Sequence, residues 1–209
     1  MHLADWLNNG VITFTFIADP PGLLPLFLSL TAGMTALQRR QTALLASLVS
    51  FGLIALFIVT GEYLLAAMNI SMGAFWLAGG LLLFCIAFKM VFSEDSSHKN
   101  AGAGTAAITR DHMRNIAVFP LATPLITGPG FLSAAILMAG KHGGIGGMAA
   151  SLAAAAVAIG ICFLFMLLAI PLDKIIGNAG RFLLTKLFGI LLAAMAAQFA
   201  ADGIHALMQ

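Results

Sequence analysis

Six stretches of more than twenty residues run through this chain with almost no charge: roughly 6–32, 41–63, 68–92, 115–140, 148–171 and 182–208. A helix rises about 1.5 Å per residue, so about twenty apolar residues cross about 30 Å of hydrocarbon. In lipid every backbone donor and acceptor must be satisfied within the protein, which leaves helices or closed barrels. The period-2 alternation that a barrel needs is absent. The expected fold is therefore an all-α membrane protein with six transmembrane helices. Composition removes the soluble alternative. Only 9% of the 209 residues are charged and 61% are hydrophobic, whereas soluble domains carry about a quarter charged residues.

The few charges are distributed unevenly. The face that bears the N-terminus, the loops near 62–68 and 141–147 and the C-terminus has Lys141 as its only Lys or Arg. The opposite face carries Arg39, Arg40, Lys89, Lys99, Arg110, Arg114, Lys174, Arg181 and Lys186, nine against one. The positive-inside bias places that second face in the cytoplasm, with both termini outside, and the expected location is a bacterial inner membrane. Met1 to Asn9 contain Asp5 and no Lys or Arg, so the basic start of a cleavable signal is missing and the first run reads as a permanent helix. Cys85 and Cys162 lie in apolar runs without motif spacing and read as small buried hydrophobes. His98 and His112 fall in the polar stretch 93–114 and are not paired at ligand spacing, so no metal or cofactor is implied.

The two halves repeat. At an offset of 108 residues, Asp19-Pro20-Pro21-Gly22 falls on Thr127-Gly128-Pro129-Gly130. With a slip of one, Met68-Asn69-Ile70 falls on Gly177-Asn178-Ala179, and Gly80-Leu81-Leu82-Leu83 on Gly189-Ile190-Leu191-Leu192. Three spans per half is an odd number, so the second half enters the membrane inverted, as in many secondary transporters. The predicted organisation is a three-helix repeat over 1–92, a cytoplasmic linker over 93–114 and an inverted three-helix repeat over 115–209.

The repeated motifs break helices. Pro20, Pro21 and Pro25 crowd the middle of the first run, and Pro120, Pro124 and Pro129 the fourth. Proline removes a donor and clashes with the preceding turn, yet suits a helix start with Asp or Thr before it as cap. The first and fourth spans are thus predicted to be discontinuous, with Asp19 and Thr127 capping the second half-helix of each. Such ends carry unpaired N–H groups and about half a positive charge, so they favour anions. Both are expected to open onto one shared hollow at mid-membrane.

Asp19 is then an acidic group deep in lipid, where a charge costs at least about 2.5–3.5 kcal/mol. It reads as a counter-charge for a substrate ammonium or a coupling ion. A first span over 20–38 would instead make it an interfacial cap. Thr13, Thr15, Ser29, Thr31, Thr123, Ser133 and Gln198 are further polar groups within the runs, most expected to bond within or between helices. Gly79-Gly80 and Gly189 suit close helix contact. Phe and Met are scattered and read as filler.

These motifs resemble those of the MarC family, which includes SnatA-type small neutral amino acid transporters. The resemblance is carried by Asp19-Pro20-Pro21-Gly22 with Pro25, Phe27 and Leu30-Thr31, then Ala78-Gly79-Gly80. It continues with Pro120-Leu121-Ala122, Pro124, Gly128-Pro129-Gly130, and Thr185 to Gly189 leading into Gln198-Phe199. It implies six spans, a two-fold inverted repeat and, for some members, transport of glycine or alanine. Trp76 and Lys186 stand where the family usually has arginines.

The expected function is an inner-membrane secondary transporter of small solutes, with small neutral amino acids foremost. The substrate-binding residues would be Asp19, Pro20, Pro21, Gly22, Thr127, Gly128, Pro129 and Gly130. The end near Thr127–Gly130 would hold the carboxylate and Asp19 the ammonium. Coupling to H⁺, to Na⁺ or by exchange is left open, as is a homo-oligomer, and nothing points to nucleic acid. An ion-conducting channel is the alternative, since broken helices also build filters. An enzyme would need a nucleophile, a metal set or clustered acid–base groups, and no run supplies them.

Overall fold

The computed structural model describes residues 3–92, 109–141 and 145–208. Residues 93–108, most of the expected linker, lie outside the described residues together with His98. The described chain is helical, without a strand: α1 (Leu3–Ala18), α2 (Pro20–Leu30), α3 (Ala36–Ala67), α4 (Met72–Phe92), α5 (Arg110–Ile116), a wide-wound segment Ala117–Ile126, α6 (Pro129–Lys141) and α7 (Ile145–Leu207). By length and composition five stretches can cross a membrane: Leu7–Leu30, Ala36–Gly61, Met72–Phe92, Gly146–Asp173 and Phe182–Leu207. The pair Arg110–Ile126 and Pro129–Ala139, bent by 62°, makes a sixth when counted as one span.

Local chemistry sets the ends. Thr35 caps α3: its hydroxyl accepts from Gln38 N–H, and the Gln38 side chain accepts from Thr35 N–H, a reciprocal capping box. The helix therefore begins at Ala36 rather than near 41, and this carries Arg39 and Arg40 from the expected loop into the helix. α7 is two arms joined at Gly177, whose φ of 65° costs glycine little. Asn69, at φ 54°, turns the chain between α3 and α4. The two positive-φ residues stand 108 apart, one short of the 109 at which this part of the halves repeats.

Lipid tails are as apolar as leucine, so helices associate through close packing rather than water exclusion. Small residues accordingly form much of the interior: Ala43 and Ala46 of α3 and Ala154, Ala155 and Ala158 of the fifth span are fully buried. The main core gathers the first, second, fourth and fifth spans. A second, smaller cluster joins α4 to the sixth span through Leu83, Ala87, Met90, Leu192 and Ala196, with Leu26. Both spans are peripheral, with 22% and 17% of their apolar windows buried against 50% for the first span. Cys85 faces outward on α4 while Cys162 is buried, so only the second matches the expected small core hydrophobe.

Glycine makes the α4–sixth-span contact close. A Cβ at Gly80 would lie 2.7 Å from the Ala196 carbonyl oxygen, and one at Gly189 would lie 3.5 Å from that of Ala87. Adding 109 to Gly80 and Ala87 gives Gly189 and Ala196. The pairs exchange partners, as a pseudo-two-fold axis between two like helices requires. Lys186 secures one end of this pair. Its Nζ donates to the Met90 and Val91 carbonyls at 3.1 and 2.7 Å, where the last turn of α4 leaves acceptors open. Lys186→Met is expected to lower stability by about 1–3 kcal/mol, as for a lost charged hydrogen bond. Thermal unfolding in detergent would read this, and an unchanged melting temperature would show that water serves those carbonyls equally well.

Candidate functional site

Proline places the first break. The residue before a proline is steered away from helical geometry, and Asp19 takes φ 43°, ψ 63°, a left-handed conformation that aspartate tolerates better than most residues. Asp19 stands twelve residues after Leu7 and eleven before Leu30. It is therefore central in the span, and an interfacial cap at the head of a span over 20–38 does not describe it.

The α2 start differs from the expected anion cradle. Pro20 and Pro21 have no N–H. Gly22 N–H donates to Asp19 Oδ1 at 3.2 Å, and Leu23 N–H to the Asp19 carbonyl at 3.0 Å. No donor of the first turn remains for a ligand. A Cβ at Gly22 would collide with Asp19 Oδ2, so glycine is what lets the carboxylate fold back over the helix end. Oδ2 itself makes no hydrogen bond among the described residues.

The second break is built otherwise. Phe119 and Thr123, each before a proline, are extended at φ −136° and −129°. Thr127 is buried, but it does not cap α6. Its N–H and its hydroxyl both donate to the Ala122 carbonyl, at 2.9 and 2.7 Å, and its hydroxyl lies 3.3 Å from that of Thr123. Pro129 has no N–H, and Leu132 N–H donates to the Gly128 carbonyl at 3.0 Å. The Gly130 and Phe131 amides make no hydrogen bond among the described residues. One break thus presents an acid whose donors are already used, and the other presents open donors without an acid.

The two ends are neighbours but open onto different cavities, which corrects the expectation of one shared hollow. A Cβ at Gly130 would lie 2.7 Å from the Phe199 ring and 3.5 Å from Ile17 Cγ2. Phe14 stacks on Phe131 with centroids 4.8 Å apart. These side chains fill the seam between α1 and α6. Asp19 and Gly22 line a half-open cavity of about 70 Å³, walled on its other side by Phe188, Leu191, Leu192 and Met195 of the sixth span. Asp19, Pro20 and Pro21 line a wider groove of about 690 Å³ that also includes Thr15 and Ile161. Thr127 and Pro129 line an apolar cavity of about 240 Å³ against Phe75, Ala78, Gly79 and Leu82 of α4. Each break therefore faces the third span of the other half.

Of the other polar groups, Thr31 and Ser133 donate to their own helices, to the Phe27 and Gly130 carbonyls, and Gln198 donates to Asp202. Only Thr15 combines a buried hydroxyl without a partner with a place in the Asp19 groove. A buried ion pair that sequence reading missed is Arg39–Asp173. Arg39 Nη1 lies 2.6 Å from Asp173 Oδ2, with side chains 7% and 12% exposed, and Arg39 Nε donates to the Thr31 carbonyl at 3.3 Å. The signal was an arginine four residues past a capping threonine, where a helix dipole disfavours positive charge.

Five spans, or six with the bent pair counted as one, a carboxylate at one helix break and open amides at the other define an integral multi-pass membrane protein of the broken-helix type. The chain belongs to the MarC family of integral membrane proteins, which it matches over residues 5–208. It is 33% identical over 202 residues to a UPF0056 membrane protein of Aquifex aeolicus, spanning 96% of this chain and 93% of that one. The UPF0056 membrane protein YvbG of Bacillus subtilis is 30% identical over 193 residues, 92% and 91% of the two chains. YhcE of Escherichia coli, also a UPF0056 membrane protein, is 30% identical over 191 residues, 90% and 86%. No solved structure matches the chain.

Proposed function

We propose that this protein is a secondary transporter of small zwitterions, foremost neutral amino acids of the size of glycine and alanine, in the cytoplasmic membrane of a bacterium. The observation that carries the reading is the chemical division between the breaks. Asp19 Oδ2 is an acceptor without a donor, and the Gly130 and Phe131 amides are donors without an acceptor. An ammonium suits the first and a carboxylate the second. Hydrogen bonds to charged groups are worth about 1.5–3 kcal/mol, so a ligand that engages both ends gains from each.

Two inverted halves supply the motion. The partner exchange between Gly80 and Gly189 supports a pseudo-two-fold axis, and the cavities lie where α4 and the sixth span meet the other four. Rocking this pair against the remainder would open one cavity as the other closes and withdraw Ile17 and Phe199 from between the breaks. The nine-to-one charge bias favours both termini outside the cytoplasm. Coupling to H⁺ or Na⁺ at Asp19 is compatible with this scheme.

Uptake of labelled glycine and alanine into proteoliposomes tests the reading. Saturable flux is expected, and none of it with any small amino acid, beside an active control, would remove the proposal. Asp19→Asn should keep the fold, because asparagine caps as well as aspartate and tolerates the same backbone. It should cut uptake roughly tenfold or more, since a charged hydrogen bond is worth about 1.5–3 kcal/mol. Wild-type uptake in a folded Asp19→Asn would discard the assignment of this carboxylate.

A further inference from the structure

The first break leaves a run of oxygens without donors. Pro20 and Pro21 have no N–H to return to the Phe16 and Ile17 carbonyls, and the Gly22 N–H that would serve Ala18 goes to Asp19 Oδ1 instead. None of the three carbonyls receives another hydrogen bond among the described residues. Thr15 Oγ1 is buried without a partner, although a helical threonine ordinarily bonds the carbonyl one turn back. Asp19 Oδ2 has no donor either. We infer that this last turn of α1 is a sodium site, with Asp19, the Thr15 hydroxyl and the carbonyls at the end of α1 as its ligands. The inference names the coupling ion of the transport reading above and rests on that reading.

Closeness in the chain keeps these groups together. Thr15 and Asp19 are one turn apart, about 6 Å along the axis, and both line the same groove. The carbonyls between them belong to a helix end, which carries about half a negative charge and favours cations. Half-helix ends with freed carbonyls hold coupling ions in other transporter folds. Oxygen ligands suit hard ions rather than zinc or copper, and no three His, Cys, Asp or Glu side chains gather among the described residues. One carboxylate balances one positive charge, and a second would stand uncompensated at mid-membrane. The ion is therefore monovalent. A proton needs the carboxylate alone, whereas sodium needs several oxygens, and the hydroxyl and carbonyls supply them. Oδ2 offers two lone pairs, one for the ion and one for a substrate ammonium. The second half is built otherwise. There Thr15 and Asp19 correspond to Thr123 and Thr127, whose hydroxyls lie 3.3 Å apart, and Thr127 also donates to the Ala122 carbonyl.

The test titrates sodium chloride against full-length protein in nanodiscs, without any amino acid, at constant pH and with choline chloride holding the ionic strength. The melting temperature should rise with sodium and saturate. Thr15→Val should weaken that response at least about tenfold, the lower bound for disturbing a metal site's ligand shell, and Thr15→Ser should keep it. Because the Thr15 hydroxyl has no partner, valine should leave the melting temperature in choline unchanged or raise it, which separates loss of the ion from loss of the fold. Asp19→Asn should abolish the sodium response. Labelled-glycine uptake into proteoliposomes should likewise need an inward sodium gradient. A wild type indifferent to sodium, or a Thr15→Val that responds as the wild type does, overturns the site; glycine uptake driven in choline by a pH gradient would do the same and leave the transport reading standing. A sodium response without uptake of any small amino acid removes the transport reading and keeps the ion site.

Discussion

Arg39→Met should unfold far more readily than the parent, by about 3–5 kcal/mol, the range for removing one member of a buried ion pair. Arg39 holds three elements at once. Its Nη1 pairs with Asp173 at the end of the fifth span, its Nε bonds the Thr31 carbonyl at the end of α2, and its backbone belongs to the first turns of α3. Each charge alone sits badly. A cation near a helix start and an anion near the end of a span both oppose the helix dipole, so pairing removes two unfavourable terms together. Methionine keeps the stem volume and removes the charge, leaving the Asp173 carboxylate short of its guanidinium. Arg39→Lys should fall between, because a single ammonium cannot reproduce the fork that reaches two acceptors. Thermal unfolding in a fixed detergent reads all three proteins. A methionine variant that melts with the parent would show that the pair adds nothing to the fold.

The second large effect is expected at the α4–sixth-span contact, where two glycines equivalent in sequence should respond unequally. A Cβ at Gly80 would lie 2.7 Å from both the Ala196 oxygen and the Ala200 nitrogen. Both are backbone atoms of a packed helix and cannot yield unless the spans part. A Cβ at Gly189 would first meet Val91 Cγ2 at 2.9 Å, which a χ1 change can move, and Met90 Cβ at 3.2 Å, which has to give by only a few tenths of an ångström. Alanine in a helix gains about 1 kcal/mol over glycine in either place. Overpacking costs about 1–3 kcal/mol and more where nothing can move. Gly189→Ala should therefore be close to neutral, while Gly80→Ala should destabilise by about 2 kcal/mol and Gly80→Leu should prevent the helices from docking. Equal melting temperatures for the two alanine variants would show that the contact relaxes as freely at Gly80 as at Gly189. The same variants bear on function, since α4 and the sixth span form the unit that faces both breaks.

Much of this molecule is legible without coordinates, and the reasons are local. A run such as Ala149 to Ile170 has one solution in lipid, so the spans follow from hydropathy. Pro20-Pro21 and Pro129 cannot continue a helix through their own positions, so the interruptions follow from the residues. Repetition at a constant offset is likewise a property of the string. The exceptions are instructive. Arg39 reads as one more loop charge until the Thr35–Gln38 cap draws it into α3 and toward Asp173. Thr127 has the composition of a helix cap, yet its hydroxyl serves Ala122, a residue behind it.

What the sequence determined by itself is the class of fold, the expectation of six spans and the places where two of them break, because each depends on bonds that residues close in the chain make or fail to make. What only the tertiary structure decided is which donors stay open at each break, which distant span walls each cavity and which charges are buried together. Those outcomes depend on atoms more than a hundred residues apart coming within a few ångströms, and side-chain direction at that scale is set by packing rather than by the order of residues.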